Sequence, residues 1–567
     1  MGMKKDSNEF LEVLCNMLIV ALLATLPLYT GKGYWQLGDT KYMLFRNLSL
    51  LCLGGWMIAG MPMRIRALLK KTGNHAGGQR EIGGRETAFS GTDFAVACYG
   101  VCTVISALCS SYGSLAWEGY EGWYMGAFSQ LLFVGIYFFV SRQYNGGKWP
   151  LYLAEAAFSL ATVLGLLNKL GIDPLGVRSG WNSGDWEYSH MLSTLGNINW
   201  LCGYYSVALA FVIAHFLREE NLPVQIVLYI VSVLACVLLG IQGSQGGLLI
   251  LAVCTAVCVA AGWRNVRVLQ KICLILAGFF PGLPLMDFLM KLQGEKAAVV
   301  RDGNILDSVE WYIWVIRGIF FLLLFSILVR REVSAWWDSH WGEKGRVKIF
   351  RQKNGRKKEI VTMALLTGGA LAGLYLAFQA ASHFVGDGFG SGRGFLWRIA
   401  LEAVEEAGWK DKLIGAGPDC YAEAVFNRLA VGPDIWAGEH WEGAIFTSAH
   451  SEYLSQLCNV GILGTAGYLA IFLTMLRTCL GNIREEAGRG KLWAWLGLLV
   501  AAMYGAHSLV SFQQVLNTPL LFLTFGICEG MRRLEAEADE AGTRRENARD
   551  RNKLCKGKCD ATGGRTK

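Results

Sequence analysis

Charge is scarce in this sequence. Only 17% of its 567 residues are Asp, Glu, Lys or Arg, while 53% are hydrophobic. A soluble domain carries about 25% charged residues. The shortfall is concentrated in uncharged runs of about 20 residues, long enough to cross a bilayer core about 30 Å thick as a helix. A run of that kind satisfies its own backbone hydrogen bonds in lipid, and mean hydropathy is +0.33. The first apolar run offers no small-x-small cleavage site around Leu23–Pro27, so it reads as a span and not as a cleaved leader. Exterior cysteine is also sparse. Of 16 cysteines, only Cys420 lies clearly in an outside loop, which excludes a disulfide framework there. Cys555 and Cys559 in the charged tail are a weak metal signal. No internal repeat is evident.

What is present is an all-α integral membrane pattern with about fourteen transmembrane helices. The segments fall at 11–30, 42–60, 93–111, 124–141, 151–170, 199–216, 223–241, 247–262, 272–290, 311–329, 361–381, 450–475, 492–510 and 515–531. With both termini cytoplasmic, 39 of the 53 Lys and Arg fall in cytoplasmic segments and 11 in outside loops, with Arg46, Lys169 and Arg317 inside spans. That bias follows the positive-inside rule. The net charge of +8 is then a matter of topology and anionic lipid, and nucleic-acid binding is not needed to explain it.

The expected organisation is an N-terminal membrane region (1–381), an extracytoplasmic loop subdomain (382–449), a C-terminal membrane region (450–531) and a charged cytoplasmic tail (532–567). The basic insertion at 330–360 suits a stop-transfer and headgroup role. The 382–449 segment has none of the bias of a linker. Residues 394–407 (GFLWRIALEAVEEA) have helical periodicity. Gly408 is expected to end that helix in the left-handed conformation, and Pro418 to open a second one.

The segment from Thr447 to Gly464 leads into the twelfth span. It places His450 at the outer mouth, with Glu452 and Tyr453 within a turn, and Gly461 and Gly464 on one face where helices approach closely. A histidine titrates near about 6.5 and can exchange a proton near neutrality. Taken alone, it can equally be an interfacial cap. Arg317 lies about two turns below the outer end of the tenth span, where a charge is either functional or paired.

His-Ser, nine residues, then Gly-x-x-Gly (His450 to Gly464) resembles the signature of the bacterial O-antigen ligase and O-antigen polymerase family of membrane glycosyltransferases. Ser391–Leu401 resembles the family's Arg-containing segment, Leu413–Pro418 its Gly-x-Gly turn, and Gly196–Asn199 a further recurrent segment. The likeness is strongest over about 390–465. The sequence departs from the pattern at Gly243–Gly247, where Gln245 stands in place of an Arg, and in having two spans more than the family's usual twelve or so.

The resemblance implies transfer of a glycan from an undecaprenyl-diphosphate carrier to an acceptor hydroxyl at the outer face of the plasma membrane, in surface polysaccharide biosynthesis. It implies no cofactor and no metal. The partners would be the lipid-linked glycan, a glycan or lipid acceptor, membrane lipid and other polysaccharide-assembly proteins. On that reading Arg393, Arg398 and Arg317 are candidates for the diphosphate. His450 is the candidate base and Glu452 its orienter or substitute. Asn197, Asn199 and His507 are candidate substrate contacts, with His383 and His440 weaker ones. Arg393 and Arg398 could instead form surface salt bridges, and His507 could be a packed interfacial ring. Asp185-Trp-Glu187 is the one exterior acid-x-acid pair that would suit a metal-dependent route. The rival readings are a flippase of lipid-linked oligosaccharide, which suits fourteen spans but not a 68-residue exterior insertion, and a non-catalytic assembly protein.

Overall fold

The computed structural model describes residues 2–72, 89–300, 310–341, 386–387, 389–429, 446–484 and 491–562. It is helical almost throughout. Among the described residues ten helices are long and apolar enough to cross a bilayer, which makes the chain a multi-pass helical membrane protein. These ten carry expected spans one to three, five to ten and twelve. The expected fourth and thirteenth spans form helices of 17 residues each, Ala127–Gln143 and Lys491–His507. The expected last one opens the long helix Thr518–Thr562. The expected eleventh, 361–381, lies outside the described residues, as do His383, His440 and most of the 330–360 insertion.

The helices used below are α1 (Gly91–Cys109), α2 (Ala127–Gln143), α3 (Trp149–Lys169), α4 (Ile198–Arg218), α5 (Gln245–Gly262), α6 (Trp311–Trp341), α7 (Phe389–Glu405), α8 (Trp409–Ile414), α9 (Tyr421–Leu429), α10 (Glu452–Arg484), α11 (Lys491–His507) and α12 (Thr518–Thr562). Burial sorts them. In α4, 94% of the apolar window is buried, so it is the central helix, apolar on every side and surrounded by protein. In α6 only 11% is buried, and Ile316, Ile319, Phe320 and Leu323 present an apolar outer surface of the kind lipid covers.

Two groups of contacts mark the two ends of the bundle. At one end, Asp93 near the start of α1 is completely buried and accepts from Arg142 of α2 at 3.1 Å and from Arg533 of α12. Ser90 and Asp93 also form a reciprocal cap on α1. At the other end gather the segments that the charge distribution assigns to the outside. Tyr34 stacks on Trp181 at 5.5 Å, Tyr124 donates to Asp39, Tyr120 N–H donates to Asp419, and Tyr188 donates to the Lys296 carbonyl. Lys169, fully buried at the end of α3, donates to the carbonyls of Ser189, Gln242 and Ala298 at 3.5, 3.3 and 3.0 Å and so ties three connections together.

The loop subdomain follows the periodicity of its sequence. The helix expected over 394–407 is α7, whose Leu396, Ile399, Ala400 and Ala403 are buried. Two turn expectations are corrected. Gly408 has φ −65° in extended backbone, so it caps the start of α8 and does not end α7 in the left-handed region. Pro418 precedes the third helix without opening it. Asp419 intervenes with φ +59°, and α9 begins at Tyr421.

Candidate functional site

The twelfth expected span begins at Glu452, two residues later than the hydropathy suggests, and His450 occupies the turn ahead of it. His450 has φ +47°, which a non-glycine residue adopts only where its surroundings impose it. Those surroundings are visible. Ala449 N–H donates to Ser455 Oγ at 3.1 Å, Glu452 N–H to the Ser508 carbonyl at 2.8 Å, and Tyr453 OH to the Gly505 carbonyl at 2.7 Å. The start of α10 is thereby fastened to the end of α11, whose last residue is His507.

Gly461 explains how the loop subdomain reaches this point. Its backbone (φ +67°, ψ −171°) breaks α10. The Cys458 and Asn459 carbonyls accept from Ala416 and Gly417 N–H, each at 2.9 Å. The Gly-x-Gly turn therefore adds to a kinked membrane helix through main-chain bonds, as a strand adds to an edge. Gly461 is thus a positive-φ break and also the point of close approach that its spacing predicts: an added Cβ would lie 2.5 Å from backbone atoms of Leu413 and Gly415.

Arg393 enters from α7. Its Nη1 donates to the Gly390 carbonyl at 3.0 Å, and its Nε is buried with no hydrogen-bond partner among the described residues. Its charge acts on His450, His507 and Cys202, from three other segments of the chain. The His450 imidazole is pushed down to about 4, chiefly by burial and then by the Arg393 charge. It is therefore neutral at pH 7 and has a free lone pair. Phe512 meets its ring edge-on at 5.0 Å and Phe446 at 6.0 Å.

The α4 and α5 termini complete this group. Asn197 caps α4 by accepting from Asn199 N–H at 2.8 Å, so its side chain is engaged in the fold. The Asn199 Oδ1 accepts from Ser244 Oγ at 2.7 Å, and Ser244 in turn caps α5. A Cβ on Gly246 would lie 3.5 Å from the His507 ring, so His507 packs against this helix start. Gln245 is exposed beside it.

A second feature adjoins the first. A cavity of about 460 Å³ is bounded by Phe512 on the His450 side and by Trp123, Tyr99, Gln456, Asn459 and Gln513 elsewhere. Two carboxylates open onto it. Asp419 accepts from the N–H groups of Tyr120 at 2.9 Å and Met125 at 3.2 Å, and burial raises it to about 7 against those bonds. Glu452 is buried and accepts from Gln456 Nε2 and Gln513 N–H, each at 2.6 Å. Glu452 thus makes no hydrogen bond to His450, which corrects its expected role as orienter; it organises the cavity instead.

The structure brings Arg393, His450, His507 and Asn199 together, with Glu452 one cavity away. It does not bring in the other two arginines. Arg398 is held by Asp387 at 2.9 Å and Glu402 at 3.0 Å. Arg317 is exposed on the peripheral helix α6 with its guanidinium 4.6 Å from the Trp314 ring centroid. Asp185 accepts from Asn182 N–H at 2.6 Å, closing a local turn. Asp419, Gln456, Asn459 and Gln513 escaped the sequence reading. The spacing of Glu452, Gln456 and Asn459 (i, i+4, i+7) was the available signal, a polar stripe on an otherwise apolar span.

No known protein-family model and no curated protein matches this chain.

Proposed function

We propose that the chain is a glycosyltransferase of the O-antigen ligase and polymerase type. It would move a glycan from an undecaprenyl-diphosphate carrier to an acceptor hydroxyl at the outer face of a bacterial plasma membrane. The full topology is fourteen spans with both termini cytoplasmic, and the end of the bundle bearing His450 faces the exterior. The observation that carries this reading is a convergence: the turn bearing His450 is fastened to the α11 end bearing His507 by Glu452 N–H to the Ser508 carbonyl and Tyr453 OH to the Gly505 carbonyl, and Arg393 brings a buried Nε without a partner among the described residues to the same mouth.

The chemistry follows from that placement. A guanidinium with an unpartnered buried Nε is suited to phosphate oxygens, which it can bind in bidentate fashion. The acceptor oxygen attacks the anomeric carbon, the bond from that carbon to the diphosphate oxygen breaks, and the diphosphate departs on the carrier. The hydroxyl proton passes to the neutral His450 imidazole. A bound diphosphate offsets the Arg393 charge and adds negative charge beside the ring, so it raises the proton affinity of His450 when a base is needed. Ser244 and Asn199 supply neutral hydrogen bonds at the same mouth.

Full-length protein in proteoliposomes with labelled undecaprenyl-diphosphate-linked glycan and acceptor tests the reading. New covalent product, reduced by about 100-fold or more in His450→Ala, is the expected result. Movement of the labelled lipid across the bilayer without a new bond would replace the transferase with a flippase.

A further inference from the structure

We infer that the cavity bounded by Asp419, Glu452 and Phe512 is a binding subsite for one neutral sugar ring, electrically segregated from the phosphate site beside it. The inference rests on the transferase reading for its place in a reaction, but its binding claim can be tested alone.

The first argument is charge. Among the described residues, those lining the cavity include two carboxylates and no Lys, Arg or His. A phosphate placed there would meet two carboxyl groups and no counter-ion among the described residues, and its own charge would hold those carboxyls protonated at a cost to binding. The cation lies on the other side of the Phe512–His450 contact. Two neighbouring compartments therefore differ in sign, and a lipid-linked sugar diphosphate and its acceptor differ in the same way.

The second argument is hydrogen-bonding capacity. Gln456, Asn459 and Gln513 are 4%, 9% and 3% exposed. Gln456 Oε1, Asn459 Oδ1 and Gln513 Nε2 are buried with no hydrogen-bond partner among the described residues. Buried polar atoms of this kind are costly unless a ligand or solvent engages them. Two amide acceptors from α10 and one donor from the connection after α11 match a ring whose hydroxyls both donate and accept. Among the described residues the Asn459 Oδ1 has no partner, while the Asn459 main-chain carbonyl accepts from Ser106 Oγ and Gly417 N–H.

The third argument is shape. Trp123 and Phe512 meet edge-to-face at 5.0 Å, and Trp123 continues to Trp200 at 5.8 Å. All three rings are half-buried, so the cavity opens along an aromatic strip against which the apolar faces of further sugars can lie.

Saturation-transfer NMR on the full-length protein in nanodiscs, with neutral methyl glycosides (glucose, galactose, rhamnose, N-acetylglucosamine) and methyl glucuronide, tests this. At least one neutral glycoside should show transfer and the glucuronide none. Asn459→Leu, which fills the space, should weaken the signal at least tenfold, and Asn459→Ala should weaken it by less. Binding of undecaprenyl diphosphate, read by native mass spectrometry, should be unchanged in both variants, which also shows that they fold, and should be lost in Arg393→Ala. Glycoside binding that depends on Asn459 upholds the subsite even if no transfer is ever detected, which would sink only the transferase reading. Glycoside binding indifferent to Asn459→Leu, equal binding of the glucuronide, or displacement of the glycoside by millimolar calcium would overturn it.

Discussion

Gly415 and Gly461 meet backbone to backbone: a Cβ on Gly415 would lie 2.1 Å from the Asn459 carbonyl oxygen, and one on Gly461 would lie 2.5 Å from Gly415 N. Both have positive φ, +78° and +67°. The contact fixes the loop subdomain, and with it Arg393, against the helix that carries Glu452 and the turn that carries His450.

Substitution at either glycine should therefore release the subdomain. Gly461→Ala combines backbone strain, on the order of 1–3 kcal/mol, with a main-chain overlap that nothing flexible can relieve. We expect transfer to fall to background while the protein still inserts, and the 386–429 region to become cleavable by added protease. Wild-type protease resistance in Gly461→Ala would remove this glycine from the docking argument.

Much of this arrangement was legible beforehand, and its limits have physical reasons. Helix α7 could be read because its apolar face repeats at the helical period. His450 and Arg393 could be singled out only by resemblance, because convergence of residues 57 positions apart in sequence depends on tertiary contacts that periodicity does not encode. Gly408 and Gly461 differ for a related reason: Gly408 has φ −65° and open space where a Cβ would go, whereas Gly461 combines φ +67° with backbone atoms 2.5 Å from an added Cβ. Glycine spacing does not say whether a left-handed turn, a close neighbour, both or neither excludes a Cβ. Asp419 was hidden because its burial comes from Tyr120 and Met125, about 300 residues away.

Arg393 and burial both act on His450, and they can be separated by titration. The folded value of about 4 lies below the unfolded one of about 6.5. The native state thus refuses a proton that the unfolded state accepts, and stability falls as pH drops from about 6.5 towards 4 and changes no further below. Labelled-histidine NMR should show the His450 ring neutral at pH 6. In Arg393→Ala its titration should move upward but stay below 6.5, because burial is the larger cause. An unmoved titration would separate Arg393 from His450.

Asp419 has the opposite sign. Its folded value near 7 exceeds the unfolded value of about 3.9. The native state holds a proton that the unfolded state has released, so this group's contribution to stability declines as pH rises from about 4 to 7 and is constant above. Asp419→Asn keeps an oxygen for the Tyr120 and Met125 N–H groups and removes the titration. Its stability measured against pH should be flatter than wild type over that window, with the variant gaining relative to wild type at pH 8. Parallel curves would show that Asp419 is already ionised in the fold.

At the opposite end of the bundle, Asp93 joins three helices by accepting from Arg142 and Arg533. Removing the acid leaves two guanidinium groups facing a completely buried site and takes away the α1 cap. Breaking a buried ion pair from one side costs about 3–5 kcal/mol. Asp93→Ala should lower thermal stability in detergent by that order, Asp93→Asn by less, and neither should alter glycoside or diphosphate binding in the protein that remains folded. A mild Asp93→Ala would mean that solvent reaches this network.

The two arginines of α7 provide the sharpest internal comparison, since composition and local sequence treat them alike. Arg398 is about 38% exposed on its side chain and lies between Asp387 and Glu402, an arrangement of surface ion pairs that contributes about 0–1 kcal/mol. Arg393 has one buried nitrogen without a partner among the described residues and projects its charge onto two histidines. Arg398→Ala should leave the rate within about fivefold of wild type, by conversion of that energy. Arg393→Ala should lose diphosphate binding altogether, and Arg393→Lys should restore only part of it, because an ammonium keeps the charge but not the fork that grips two oxygens. Equal losses at 393 and 398 would mean that Asp387 and Glu402 yield Arg398 to the substrate, and the phosphate site would then need both guanidinium groups.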